Sequence, residues 1–239
     1  MSDPPPSKKP KISATEYQSA LDELEKMEKE VEDIEKSEKI PSAFINKRAK
    51  VIAKIDQFWK YVMIGAMHSD GLYDHIPMKY FTVDENKCLA HWESFNVEWT
   101  RDDNLKVIGF RLVFTFIENP YFTNSKLVRE YAHPKDIPSR LSLVKVTKVK
   151  WKNGQDLGEG REERFKSSWP HFFKWFQSKD ASGYSDRSIA EGLSGFIWTT
   201  PYKYFKGGRK RVEEYGENED TEDEEDDDND DGEVDDDDD

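Results

Sequence analysis

Cysteine is almost missing from this chain: Cys88 is the only one in 239 residues, which excludes an intramolecular disulfide and fits a reducing compartment. Long apolar runs are missing too. No stretch approaches the roughly 20 apolar residues of a bilayer-spanning helix, and Met1–Lys11 has no hydrophobic signal region, so no membrane partner is expected. The five histidines, His68, His75, His91, His133 and His171, have no metal-ligand spacing, and one cysteine cannot complete a zinc site. Gly207 and Gly208 are followed by Arg209 rather than by the Gly-Lys-Ser/Thr of a phosphate-cradling loop. No nucleophile stands beside a base, so the expectation is a protein with no cofactor, no metal and no catalytic residue.

The other absence is one of sign. Glu213 to Asp239 hold 20 carboxylates and no Lys, Arg or His, leaving 30 of the 50 acidic residues in residues 1–212 with all 36 Lys and Arg. The body therefore carries +6 while the whole chain is −14. Self-repulsion on that scale predicts an unfolded, solvated tail whose role lies outside any core. A tethered polyanion competes for polycations, and the plain alternative is a solubilising tail. Within the tail, Asp227, Asn229, Asp231, Gly232 and Asp238 match a calcium-loop spacing with Asp at the closing position. So acidic a run produces that spacing readily, and no apolar helices flank it.

What is plentiful is aromatic: 7 Trp, 10 Tyr and 14 Phe, nearly all between Phe44 and Phe205, enough for a dense core. The order of patterns predicts an α+β chain. Residues 1–12 are proline-rich and expected to be disordered. Ser13 with Glu16 forms a capping-box pattern before a stripe of Tyr17, Leu21, Leu24, Met27, Val31 and Ile34, with Asp22/Lys26, Glu25/Lys29 and Glu32/Lys36 four apart. Pro41 interrupts the stripe, which resumes from Phe44 to Met63. This predicts one kinked dimerisation helix over residues 13–63, whose two apolar stretches together make about 45 residues and roughly 65 Å of helix. Such a helix needs a partner along its side, so the chain is expected to be a homodimer through Leu21, Leu24, Met27, Val31 and Ile34.

From Leu89 the period becomes two. Phe95, Val97 and Trp99, the turn Arg101–Asn104, and Phe110, Leu112, Phe114 and Phe116 predict a hairpin with one buried face. Leu127–Tyr131 and Leu143–Trp151 predict two further strands of a meander, closed by the turn at Asn153 and Gly154. Ser168 is expected to cap a helix carrying Phe172, Phe173, Trp175 and Phe176, and Ser185 another with Ile189, Leu193, Phe196 and Ile197 inward. The aromatics of Trp169–Phe176 sit at core spacing rather than as a base-stacking platform. Lys145, Lys148, Lys150 and Lys152 form a candidate patch for double-stranded DNA, with a solvated strand face as the alternative. Residues 64–206 are then one domain, and 207–239 a basic linker and disordered acidic tail.

Several segments together resemble the nucleosome assembly protein family, in its SET/template-activating-factor branch. They are PSAFINKRAKVIAKIDQFW from Pro41, ENPYFTNSKLVREY from Glu118, VKWKNGQDL, FFKWF, and the IW-x-x-P-x-x-YF run from Ile197 to Phe205. The resemblance implies a headphone-shaped dimer: a long dimerisation helix, an earmuff domain of antiparallel sheet and helices, and a disordered acidic tail. It implies a histone chaperone, binding core histones and shielding them from DNA during nucleosome assembly and disassembly. Matched onto this chain, the underside of the earmuff implies contacts from Lys174, Gln177, Ser178, Asp180, Asp186 and Glu191. The chain departs from the family at Lys174, Gln177 and Ser178, where Thr and Asp are usual. Electrostatic capture falls to the tail, represented by Glu222, Asp223, Glu224, Glu225, Asp226, Asp227 and Asp228. The same branch includes inhibitors of protein phosphatase 2A and of histone acetylation, so a regulatory binder is the alternative, and a DNA-associated acidic chromatin factor a third. The family and two basic clusters, Lys8/Lys9/Lys11 and Lys206/Arg209/Lys210/Arg211, imply a nuclear protein, with cytoplasm as a second location.

Overall fold

A computed structural model describes residues 12–35, 40–69, 81–137, 140–157, 171–179 and 184–216, and side chains outside 32–35 and 184–185. The N-terminal stripe does form a helix, α1 (Ala14–Glu35), started by the expected capping box: the Glu16 amide donates to Ser13 Oγ at 3.2 Å and Ser13 N–H to the Glu16 carboxylate at 2.9 Å. It does not continue into one kinked rod. The apolar series after Pro41 forms α2 (Ser42–Ile52) and α3 (Phe58–Met67), broken at 53–57, where Gln57 takes a left-handed φ of 51°. Pro41, with φ −62° and ψ 141°, stands at the N-cap of α2, because its missing N–H and restricted φ suit a helix start and not a helix interior.

The path also reverses. Glu23 meets Lys47 at 3.1 Å, whereas a continuous helix would hold them about 36 Å apart at 1.5 Å per residue. The consequence corrects the expected dimer stripe. Leu24, Met27 and Val31 are buried within one chain, and Ala20, Leu24 and Met27 join its own hydrophobic core. Leu21 is half-buried, and the Ile34 side chain lies outside the described residues. Those methyl groups have already left water in a single copy, so they offer little further driving force to a second.

The four strands are β1 (Trp92–Arg101), β2 (Val107–Phe116), β3 (Lys126–Ala132) and β4 (Ser142–Val146), ordered 1-2-3-4 and antiparallel, the expected meander. Register aligns Phe95 with Phe114 and Leu127, and Trp99 with Phe110 and Tyr131, on one face. The other face carries Glu98, Arg111 and Glu130, with Arg111 3.0 Å from Glu98 and 4.0 Å from Glu130. The fourth strand is shorter than expected. After Val146 the chain is held by Asn124, whose Oδ1 accepts from the Lys150 amide at 2.7 Å, and Trp151 makes only an isolated bridge to Phe122. Gly154 supplies the positive φ, 73°, of the expected turn.

Helix α4 (Val83–Leu89) precedes the sheet, and α5 (Phe172–Gln177) and α6 (Tyr184–Gly192) follow it. The inner sheet face stacks on α3 and α5: Trp59 lies 5.4 Å from Phe95, Trp92 5.8 Å from Phe172, and Phe114 5.7 Å from Phe176. Ser168 lies outside the described residues; α5 starts after His171, and Ser185 is already inside α6. One turn of π-helix, Leu193–Ile197, extends α6. Its wider turn shifts the 3.6-residue register, leaving Leu193 and Ile197 buried but Phe196 46% exposed instead of inward.

The supposed basic linker is structured. Pro201–Tyr215 form α7, with Pro201 in its first turn, packed along α3. Glu28 of α1 caps it, accepting from the Tyr202 and Lys203 amides at 2.7 and 3.1 Å. Burial raises the Glu28 carboxyl above its ordinary range, the two amides opposing that shift. A carboxyl raised on folding gives stability that is complete below its unfolded value and is lost as pH rises through the folded one. Glu28→Gln keeps an acceptor oxygen and removes that loss. In guanidinium unfolding it should match the parent at pH 4 and exceed it at pH 7, while Glu28→Ala should cost about 1 kcal/mol at pH 4 and less at pH 7, where the parent has lost part of this group's contribution. A Gln variant weaker than the parent at pH 7 would refute this reading.

Candidate functional site

Strand β3 sets the geometry of the earmuff corner. Alternation puts Leu127, Arg129 and Tyr131 on its inner face, so a guanidinium enters an aromatic core with no exposure at all. Arg129 survives there because every direction is answered. Nη1 donates to the carbonyls of Trp175, Phe176 and Ser178 at 3.1, 2.9 and 2.8 Å, closing the C-terminus of α5. Nη2 pairs with Asp186 of α6, and Nε donates to the Tyr131 oxygen at 2.6 Å. Asp186 also accepts from Trp175 Nε1 at 2.9 Å and from Tyr131 O–H at 3.1 Å. Burial drives the Tyr131 hydroxyl far up, which keeps it a neutral donor. The guanidinium lies 5.0 Å from the Trp175 ring centre.

This hub decides which expected contacts remain on the surface. Asp186 is 6% exposed and bonded from three sides, so it joins α5 to α6 and β3 rather than facing a partner, which corrects its place among the contact residues. Ser178 is half-buried with its carbonyl committed to Arg129. Gln177 is half-buried and accepts from Trp151 Nε1 at 3.0 Å. Lys174 and Glu191 are exposed, Glu191 pairing with Arg187 at 2.9 Å. Asp180 and the tail residues Glu222–Asp228 lie outside the described residues. Among the DNA candidates, Lys145 of β4 and Lys148 and Lys150 of the segment after it are exposed, while Lys152 Nζ turns inward to the Asn119 carbonyl at 2.6 Å.

Arg129 was not among the expected site residues, although one signal marks it: a charge at an inward position of an alternating strand needs a buried partner. Glu85 is a second such group. It completes a capping box with Thr82, 2% exposed, and also accepts from the Phe173 amide at 3.3 Å, tying α4 to the start of α5. Arg48 is a third, 5% exposed, donating to the Thr199 carbonyl at 2.9 Å over the Trp198 ring; burial pulls it down to about 10. Among the described residues no cluster of His, Cys, Asp and Glu has the arrangement to hold a metal ion. No helix of the described residues is long and apolar enough to cross a membrane.

An antiparallel meander backed by helices on one face, entered through a helical hairpin and left through a helix leading to an acidic extension, defines an α+β scaffold of the earmuff type. The sequence profile Nucleosome assembly protein (NAP) matches residues 3–235, and the chain belongs to that family. It is 30% identical over 224 residues to NAP1-related protein 2 of Oryza sativa subsp. indica, covering 88% of this chain and 82% of that one. With Protein SET of Drosophila melanogaster it shares 28% over 204 residues, 79% of this chain and 70% of that one. The fold matches the crystal structure of Ccp1 at a TM-score of 0.51 and 21% identity, covering 82% and 97% of the two chains. It matches nucleosome assembly protein S of Plasmodium falciparum at 0.51 and 18%, covering 80% and 92%.

Proposed function

We propose that this chain is a histone chaperone, nuclear in location, that binds core histones and shields them from DNA during nucleosome assembly and disassembly. The observation that carries this reading is the division of charge: 18 carboxylates in residues 217–239, joined through α7 to a family domain whose own sequence is net basic. Mechanistically, carboxylates take the place of DNA phosphates around histone Lys and Arg, and release follows from competition without hydrolysis. Glu222–Asp228 represent the capturing run, while Lys174, Gln177, Ser178 and Glu191 are the domain's proposed contacts. Exposed Lys145, Lys148 and Lys150 are proposed to touch DNA, and Lys152 is withdrawn from that set because its ammonium is bonded internally.

The experiment is a salt-dependent histone pull-down of the full chain and a truncation. The structure places the cut: α7 runs to Tyr215 and uses Glu213 and Glu214 to pair with Arg209 and Lys210, so truncation after Gly216 keeps that helix whole. Charge screening over about 8 Å at physiological salt predicts that histone affinity of the full chain falls steeply as salt rises. Truncation should weaken binding about tenfold or more at low and moderate salt and flatten the salt dependence, leaving residual binding by the domain. Equal affinities with and without residues 217–239 would remove the tail's assigned role.

A further inference from the structure

We infer that the groove beside the free edge of β1 is a docking site for a non-histone partner, which enters as an extended peptide carrying two bulky apolar side chains and a carboxylate at alternate positions. The two edges of the sheet are built differently. β4 is five residues long, with Lys145 in it and Lys148 and Lys150 just after, a usual guard against strand addition. β1 is ten residues long, and among the described residues its only strand partner is β2. Trp198 approaches that edge at Asn96, whose Oδ1 accepts from the indole Nε1 at 3.2 Å. From Val97 to Arg101 no Lys and no Pro deters a further strand. The register irregularity at Thr100 and Arg101 falls on β2, which passes over Ile108, so β1 keeps its alternation and Val97, Trp99 and Arg101 share one face.

That face opens into the groove. Its volume of about 830 Å³, between β1, the start of α2 and the π-turn, is that of a ligand pocket rather than of a packing defect. Ile45 of α2 and Phe196 of the π-turn line it together with Val97 and Trp99. Trp99 and Phe196 are 41% and 46% exposed, so two aromatic rings face solvent at one place. Phe196 is there because the wide turn rotates it out of the core, and such turns recur at functional sites.

Edge, walls and charge together choose the occupant. An extended peptide laid along β1 satisfies the unpaired backbone groups of the edge, and its alternate side chains fall on the groove side, in step with Val97, Trp99 and Arg101. Opposite Val97 and Trp99 the walls are apolar and take two bulky apolar side chains. Opposite Arg101 a carboxylate fits, since Arg101 is the only charged residue among those lining the groove, and a hydrogen bond from Nη1 to the Leu105 carbonyl at 2.7 Å holds it in place. Asp102, next in sequence, spends its carboxylate on the amides of Asn104 and Lys106 at 3.0 and 2.9 Å and is not among the lining residues. A Lys- and Arg-rich histone peptide meets like charge here, so the ligand is of another class, and the inference goes beyond the histone reading without resting on it. In the antiparallel order, the more stable of the two, the peptide reads carboxylate, any residue, apolar, any residue, apolar.

Fluorescence anisotropy on the full chain tests this with a labelled peptide, Ser-Glu-Thr-Phe-Thr-Leu-Ser. It should bind saturably with a Kd below about 100 μM. The same peptide with Lys in place of Glu should bind at least about tenfold more weakly, and Phe196→Ser, at an exposed position, should weaken the Glu peptide by about that factor with an unchanged thermal midpoint. Arg101→Glu should reverse the preference and take the Lys peptide over the Glu peptide, which a loss of fold would not produce. Methylating one alternate set of the peptide's amides should abolish binding and methylating the other should not, because only one set faces the edge. No saturable binding, equal affinity for the Glu and Lys peptides, or tolerance of both methylated sets would each overturn the inference. So would a peptide affinity that rises about tenfold on truncation after Gly216, which would assign the groove to the chain's own acidic run. In the histone pull-down Phe196→Ser should capture like the parent, so the two readings fail separately; a capture lost there would give the groove to histones and overturn the inference as well.

Discussion

Replacing Arg129 with alanine is expected to cost the domain about 4 kcal/mol, much of the 5–15 kcal/mol that holds a domain of this kind together. The loss is not that of one ion pair. Removing the guanidinium leaves Asp186 charged and buried with only neutral donors, and strips the carbonyls of Trp175, Phe176 and Ser178 of their donor at the end of α5. It also leaves a void in a region walled by Tyr131 and Trp175. Lysine should not rescue, since one ammonium cannot reproduce donors aimed at three carbonyls, a carboxylate and a hydroxyl. Urea unfolding followed by near-ultraviolet circular dichroism measures the cost. Lys174→Ala and Glu191→Ala, exposed on the same two helices, should shift stability by less than about 0.5 kcal/mol. Asp186→Ala should be severe alone but add little to Arg129→Ala, because the two remove one network. An Arg129→Ala domain within 1 kcal/mol of its parent would refute the hub.

This hub also explains how far the sequence could be read. Alternation along Phe95–Trp99 and Phe110–Phe116 reports burial of one face directly, so the buried face and the meander follow from the pattern. The helical hairpin does not, because a stripe at helical spacing says that a face is buried and not by which chain. Leu24 reads the same whether it packs on another copy or on its own domain. Likewise the acidic residues of the Asp186–Glu191 segment look alike in sequence. Only the long-range meeting with Arg129, 57 positions upstream, separates the buried Asp186 from the solvated Glu191. Phe196 was misplaced for a local reason, one wide π-turn, and α7 was missed because Gly207 and Gly208 resemble a linker.

Those two glycines give the second large effect, and its sign is opposite at adjacent positions. A glycine inside an exposed helix ordinarily costs up to about 1 kcal/mol relative to alanine, so Gly207→Ala should stabilise α7; a Cβ there would come no closer than 3.8 Å to Gly65. Gly208→Ala should instead destabilise the domain by about 3 kcal/mol. Its Cβ would overlap the Tyr61 carbonyl oxygen and stand 2.9 Å from the Gly65 amide nitrogen, and both are backbone atoms that no rotamer change can move. Gly65→Ala should behave alike, its Cβ overlapping the Tyr204 carbonyl and lying 2.6 Å from the Gly208 nitrogen. The close crossing exists to stack Phe205 on Phe58 at 4.8 Å, and a pushed-out α7 loses that stack together with the Glu28 cap. Thermal unfolding of the three variants decides the matter, and a Gly208→Ala chain as stable as Gly207→Ala would show that the helices do not touch. The functional consequence follows from chain order. Since α7 is the only covalent path from the domain to the acidic run, and a loss of about 3 kcal/mol leaves most of the domain folded, Gly208→Ala should retain the proposed tail capture of histones. Its pull-down should then match the parent's well below the thermal midpoint and approach that of a free polyanion, with the steeper salt dependence of exposed charge alone, only on heating through it.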